Sequence, residues 1–386
     1  MLLVVLLDVL SLGVTLPVLP KLVTTLGGQG RGMTSYGVFV ASWQVAHLLA
    51  APVLGALSDR FGRRPLILVS CLGLGLDYLM MATTSSLTLL FVGRMVSGAT
   101  AATFSIAAAY VADTTAPQDR PQRYAHLGAT FSVGFVLGPA LGGALGRLDL
   151  RLPFWVAGAV TVATAILGAF VLPESLDPAK RASPRWSQLN PVGALHGLLA
   201  TRRLALLSGV AFLYFASQYV FQSAYALYVG ARYGWRELET GMALAGSALT
   251  GALVQSIAAR GLARRLGERR MLELALVCGI VSFVVVGASP SGWLSLVSVP
   301  FGAAFGLTRA GLLASMTSEV PSGQQGRLQG ALVCLGGLAG ACFPTVFTWA
   351  LERGSRAAVP GAPFYVAAGV GVLAVALARA VPPKSG

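Results

Sequence analysis

The chain has 386 residues and a mean hydropathy of +0.73, and it is 55% hydrophobic but only 11% charged. That balance leaves too little ionic surface for a soluble globule, so the chain reads as an all-α membrane protein with no room for a soluble catalytic domain. The net charge of +14 is no nucleic-acid signature, because the basic residues sit on short connections between apolar runs.

A spanning helix takes about 20 apolar residues, and twelve such runs can be placed, at 2–24, 35–57, 65–84, 87–113, 123–147, 152–172, 204–230, 238–260, 271–288, 291–316, 326–350 and 361–381. Lys21, Arg31, Arg147, Arg151, Arg232, Arg236, Arg353 and Arg356 fall on one set of connections, and Arg94 and Arg309 inside spans. The rest of the 28 lysines and arginines lie on the opposite set and the C-terminal tail. By the positive-inside rule both termini are then cytoplasmic.

The first run carries Asp8, lacks a basic start and is followed by Pro17 and Pro20, so it reads as a span and not a signal peptide. Asp8 shares a helical face with Ser11, Leu12 and Thr15, which makes it a candidate protonatable or cargo-contacting carboxylate. The plain alternative is an acid near a helix start, favoured by the dipole and reached by water.

Between spans two and three lies Gly55-Ala-Leu-Ser-Asp-Arg-Phe-Gly-Arg-Arg-Pro65. This turn places Gly55 and Gly62 where helices approach closely, Asp59 where it can accept hydrogen bonds, and Arg60, Arg63 and Arg64 at the headgroup level. Asp77 and Arg94 lie equally far before and after the next turn, so they can pair at similar depth. The pair is either a proton-coupling device or a static buried ion pair. His47 and His126 read as packing residues. In span five, Gly134-x3-Gly138-Pro139-x2-Gly142-Gly143 reads as a hinge or a tight packing seam.

The one long polar connection, 173–203, reads as a cytoplasmic linker between two six-helix halves, 1–172 and 204–386. An internal echo supports this: Asp59-Arg-Phe-Gly-Arg-Arg64 has a counterpart in Arg264-Arg-Leu-Gly-Glu-Arg269 at the same place in the second half, with charges reversed at two positions. On span seven, Tyr214, Gln218, Gln222 and Tyr225 recur at i, i+4, i+8 and i+11, a stripe suited to a bulky, partly aromatic cargo or to interhelical hydrogen bonding. Glu273 and Arg309 are the intramembrane charges of the second half, each within reach of an interface by snorkelling. The four cysteines, Cys71, Cys278, Cys334 and Cys342, all fall in spans and suggest neither a disulfide framework nor a metal site. No Walker-type phosphate loop or nucleophile–base pattern occurs, so an enzyme is not expected and energy must come from an ion gradient.

Gly55-x-Leu-Ser-Asp-Arg-x-Gly-Arg-Arg resembles the signature cytoplasmic loop of the major facilitator superfamily, and Gly138-Pro-x-x-Gly-Gly resembles its antiporter motif. With Pro17-Val-Leu-Pro20, Asp77-Tyr78, Leu172-Pro-Glu-Ser175, Leu266-Gly-Glu-Arg-Arg270 and Leu328-Gln-Gly330, the chain is similar to the bacterial tetracycline efflux proteins almost end to end. The resemblance implies twelve spans in two parallel six-helix repeats and a drug:proton antiporter in a bacterial inner membrane. It further implies a functional monomer, with protons and a small molecule as partners, no cofactor, and a divalent cation only as a passenger on a tetracycline-like cargo. By resemblance, Asp59 closes against span eleven, Arg63 pairs with Asp113, and Arg120 occupies a further loop position. Asp8, Asp77 and Arg94 match intramembrane charges needed for transport, while Gln218 and Gln222 line the cavity. The second half departs from the pattern. The span-nine acid aligns with Gly279, the span-eight histidine with Gly251, and Arg309 stands where an apolar residue is expected.

Uptake of a metabolite by symport or uniport is the alternative within the same fold, and a non-transporting membrane scaffold or sensor is the alternative from another class.

Overall fold

The computed structural model describes residues 1–28, 32–177, 181, 195, 197–320 and 325–382, with their side chains except those of 121, 258–266, 268, 326 and 327. Much of the linker 173–203 and the charge reversal at Arg264 and Glu268 therefore lie outside the described residues and side chains.

Among the described residues the chain is helical throughout and contains no strand. The first pass is α1 (Leu2–Thr15) and α2 (Leu19–Leu26), bent by 49° where Pro17 and Pro20 interrupt the backbone ladder. Then come α3 (Gly32–Phe61), α4 (Arg63–Thr83), α5 (Leu87–Thr100), α6 (Thr103–Thr114), α7 (Arg120–Leu148) and α8 (Leu152–Val171). The second series is α9 (Arg202–Ser223), α10 (Tyr225–Tyr233), α11 (Glu237–Leu266), α12 (Glu268–Ala288), α13 (Gly292–Ser295), α14 (Val299–Phe305), α15 (Leu307–Thr317), α16 (Gln325–Arg356) and α17 (Ala362–Ala380).

Ten helical stretches are long and apolar enough to cross a membrane, and the bent α1–α2 pair makes an eleventh. The remaining expected span, 238–260, is helical within α11, whose side chains are described only as far as residue 257.

The internal echo is visible in the backbone. Gly62 starts α4 with φ +105° and ψ 165°, and Gly267 starts α12 with φ +75° and ψ 160°. Both take the positive-φ conformation that side chains resist, so each half turns from its second to its third span through a glycine.

Contacts divide the chain into two compact units. One comprises Met1–Gly28, Ser42–Asn190 and Arg236–Ala245, the other Gln29–Ala41, Pro191–Trp235 and Gly246–Gly386. The division thus does not simply follow the linker, because the first turns of α3 and of α11 each group with the opposite half of the sequence. In the first unit Ile67, Cys71, Ile106 and Leu172 form a buried core. The second is cored by rings: Phe283 packs edge-on to Phe305 at 5.4 Å, and Phe364 edge-on to Tyr228 at 4.8 Å.

The first turns of α11 are held in the first unit by an ion pair between Lys21 and Glu237, whose side chains are 57% and 4% exposed. Removing Lys21 strands a buried carboxylate. Lys21→Ala is expected to lower stability by about 1–2 kcal/mol, less than the roughly 3–5 of a fully buried pair because the lysine stays half in solvent. The double variant Lys21→Ala/Glu237→Gln is expected to recover most of that loss in thermal melts of the purified protein. A double variant as weak as the single one would show that the pair is not the stabilising element.

Candidate functional site

Span three carries Asp77 in the interior of the first unit, with its side chain fully shielded from solvent, and span four carries Arg94, 9% exposed. Arg94 Nη1 donates to Asp77 Oδ2 at 3.4 Å, a long contact for a charge-assisted pair. Asp77 Oδ1 has no hydrogen-bond partner. The guanidinium also lies over Trp43, whose ring centre is 5.6 Å from the Arg94 carbon. Trp43 is itself fixed by an Nε1 hydrogen bond to Ser97 Oγ at 3.3 Å and by stacking on His47 at 5.1 Å. Trp43 was not legible as a site residue, since a tryptophan in an apolar run signals packing.

Asp8 lies at a break in span four. Between α5 and α6 the helix opens at Ala101 and Ala102, and Ser70 Oγ accepts from the freed N–H groups of Ala102 and Thr103 at 2.9 and 3.2 Å. Thr103 Oγ1 donates to Ser70 Oγ at 2.9 Å and reaches Asp8 Oδ1 at 3.5 Å. Tyr78, wholly buried, is close enough to Asp8, Asp77 and Arg94 to feel all three charges. Asp77, Arg94 and Tyr78 are buried here and Asp8 is half-buried, so a change of proton count at either carboxylate is felt by its neighbours.

The Gly55–Pro65 turn is tied at several points. Arg63 Nε donates to Asp113 Oδ2 at 2.9 Å, and its Nη1 pairs with Asp59 and with Ser58 Oγ, the latter at 3.1 Å. Arg64 donates to the Ala169 carbonyl, and Arg60 lies over the Phe61 ring at 5.1 Å. Arg120 caps the end of α6 through the carbonyls of Thr115 and Ala112 at 3.2 and 2.9 Å. Gly55 departs from the expectation of a close helix approach: it sits on an exposed face, and an added Cβ would meet no atom within 4 Å.

Glu174 is a part of this turn that sequence reasoning saw only as a family motif. Its carboxylate accepts the N–H groups of Arg63 and Arg64 at 2.9 and 3.1 Å and occupies the space a Gly62 Cβ would need. Burial would push its pKa up, but the backbone donors Leu176, Arg63, Arg64 and Ser175 outweigh that and hold it below the usual value of 4.5. A carboxylate with a depressed pKa stabilises the fold fully above its unfolded pKa and loses that contribution as pH falls through the folded value. Glu174→Gln is therefore expected to lower stability by about 1 kcal/mol at neutral pH, with the gap to wild type closing in melts taken well below pH 4.5. A gap independent of pH would sink this assignment.

Span five is a continuous helix through Pro139, and its glycines form a seam on two sides. An added Cβ at Gly138 would lie 2.6 Å from the Gly13 Cα, and at Gly134 2.9 Å from the Val9 side chain. At Gly142 it would strike the Val14 backbone. Gly143 and Pro139 face Glu237 and Gly241 at the start of α11.

In the second unit the expected stripe on span seven crosses Ala224, between α9 and α10. Gln218 Nε2 donates to the Tyr214 hydroxyl at 3.0 Å, and Tyr214 packs edge-on to Phe305 at 5.0 Å. Gln222 is exposed, while Tyr225 is buried beside Phe221. At Ala224 the helix is distorted but its ladder continues, from the Ala224 N–H to Val220 and from the Tyr228 N–H to Ala224, each across four residues. Glu273 accepts from Arg269 at 3.2 Å and lies 3.9 Å from Arg379, so it serves the end of the bundle and not mid-span. At Gly279, where the resemblance expects an acid, the Phe305 ring fills the space of any side chain. Gln255, one turn beyond Gly251, also went unnoticed in the sequence; a lone glutamine in an apolar span was its only signal.

Two units of membrane-length helices with ionisable groups buried inside spans are the build of a transporter of small molecules. The family model described as Major Facilitator Superfamily matches residues 1–344 and 207–386. The class C tetracycline resistance protein of Escherichia coli is 34% identical over 345 residues, covering 89% of this chain and 86% of that one. The class E protein of Escherichia coli is 32% identical over 385 residues, covering 98% and 93%. The crystal structure of the human organic anion transporter MFSD10 (TETRAN) superposes with a TM-score of 0.71 at 26% identity, covering 98% and 97%. The chain belongs to the Major Facilitator Superfamily, and it is a multi-pass membrane protein.

Proposed function

We propose that this protein exports an amphipathic small molecule, with a tetracycline-like drug as the first candidate, in exchange for protons. The observation that carries the reading is Asp77: a carboxylate wholly inside a span, held by one long contact to a buried arginine and open on its other oxygen. Protonation of Asp77 would remove its attraction for Arg94 and leave a guanidinium whose position on Trp43 must readjust, which links proton count to helix position. Identity of 34% and 32% to tetracycline resistance proteins supports the cargo class. In this reading the protein lies in a bacterial inner membrane with both termini cytoplasmic and acts as a monomer. It uses the proton gradient without a resident cofactor, and any divalent cation enters chelated to the cargo. Asp59, Arg63, Asp113 and Glu174 form its cytoplasmic latch, and Asp8 is the second proton-accessible acid.

The test is tetracycline accumulation in everted membrane vesicles with an imposed gradient. An acidic lumen should drive uptake, and collapse of the gradient should release the drug. Uptake driven by the opposite gradient would identify a symporter, and absence of flux across a broad compound panel would point to a scaffold.

A further inference from the structure

The second unit holds a polar cluster that proton coupling through Asp77 does not use. Arg309 lies inside the apolar stretch Gly292–Thr317, one turn beyond Phe305, whose ring packs edge-on to Tyr214. Tyr214 is close enough to Arg309 to feel its charge, and its hydroxyl already accepts from Gln218. Across the break at Gly306, the Gln255 amide nitrogen lies 3.0 Å from the place a Gly306 Cβ would occupy. Tyr214 and Gln218 thus lie beside Phe305 and Gln255 beside Gly306, and Arg309 follows within a turn with its side chain exposed.

The chemistry of this cluster is one-sided. The ion pairs of the unit are Arg203–Glu319, Arg269–Glu273, Arg379–Glu273 and Arg356–Glu352, and among the described residues no carboxylate pairs with Arg309. On span nine, Gly279 is closed by the Phe305 ring and Phe283 packs on the same ring, so no acid is supplied from those positions. What remains is a permanent cation, two amides and a phenol, all able to donate. An exposed guanidinium with no carboxylate partner is open to an incoming anion, which it would hold through charge-assisted hydrogen bonds.

We propose that Arg309, Gln255, Gln218 and Tyr214 form an anion-accepting subsite, so that the exported molecule carries an acidic group such as a carboxylate, sulfonate or ionised enol. This rests on the export reading and names the cargo more narrowly. It also makes the site favour a metal-free acidic cargo over one whose acid is neutralised by a chelated divalent cation.

Binding, which does not depend on transport, separates this proposal from the export reading. Naphthalene-2-sulfonate and naphthalen-2-ylmethylammonium, matched in size and opposite in charge, are titrated calorimetrically into the purified full chain in zwitterionic nanodiscs. The sulfonate should bind at least about tenfold more tightly in wild type. Arg309→Leu and Gln255→Leu should each erode that preference, and Arg309→Lys should restore part of it. Equal binding of the two probes, or a preference that survives Arg309→Leu, overturns the proposal. A preference that disappears when anionic lipid is added also overturns it, since lipid phosphate would then be the partner of Arg309. Loss of proton-driven tetracycline flux with the sulfonate preference intact would count against the export reading alone.

Discussion

Replacing Asp77 by Asn is expected to reduce proton-driven drug accumulation to the level of protein-free vesicles while leaving cargo binding measurable. Asparagine keeps the shape and one acceptor for Arg94, whose Nη1 lies 3.4 Å from Asp77 Oδ2, but it cannot gain or lose a proton in the working range. The site that makes this informative is buried: Asp77 is fully shielded, Tyr78 is wholly buried, and the Trp43 ring lies 5.6 Å from the guanidinium carbon. Arg94→Ala is the harsher change, because it leaves a buried carboxylate without its counter-charge. It is expected to cost about 3–5 kcal/mol in stability, so Asp77→Asn is the cleaner probe of coupling. The measurement is the pair of assays side by side: tetracycline uptake under an acidic vesicle lumen, and equilibrium binding in the same preparation. Full transport by Asp77→Asn would remove the coupling role and leave the pair as a static buried bridge.

The second large effect concerns span five. Gly142→Val is expected to prevent recovery of monodisperse protein, or to lower stability by about 3 kcal/mol or more. The upper end of the overpacking range applies, because the collision is with backbone and not with a flexible side chain. The Val14 carbonyl occupies the place of the new Cβ, and relieving the collision by moving α1 away would open the close Gly13–Gly138 approach one turn along. Gly128→Val on the same helix is the control. A Cβ there meets no atom within 4 Å, and it should be nearly neutral. Size-exclusion profiles and thermal melts of the two variants decide the matter. Equal recovery of both would mean that α1 and α7 tolerate separation, and that the glycines serve bending instead of packing.

These two predictions differ in how far the sequence could support them. Asp77 and Arg94 were legible as a pair because charges inside spans are rare and because equal distances from a turn put them at equal depth. Span five presented glycines at four-residue spacing, which says that one face approaches a neighbour but not which neighbour. The answer, α1 on one side and the first turns of α11 on the other, depends on chain segments far apart in sequence. On span seven the sequence placed Tyr214, Gln218, Gln222 and Tyr225 on one face but could not say that Tyr214 and Tyr225 would be buried and Gln222 exposed, or that the helix would be distorted at Ala224 without a proline or glycine.

Hydropathy, charge placement and a repeated glycine turn by themselves determined the class of protein and most of its spans. They suffice because a bilayer forces each span to satisfy its own backbone and to exclude most charge. The Gly55–Pro65 turn and its echo, with Gly62 and Gly267 both at positive φ, belong to the same local level. Only the tertiary structure decided what the charges do: Glu174 beneath Gly62, Trp43 beside Arg94, and Arg309 near Tyr214 with Phe305 closing Gly279. Such pairings are made by side chains from separate spans meeting at a few ångströms, and single-chain periodicity carries no information about those meetings.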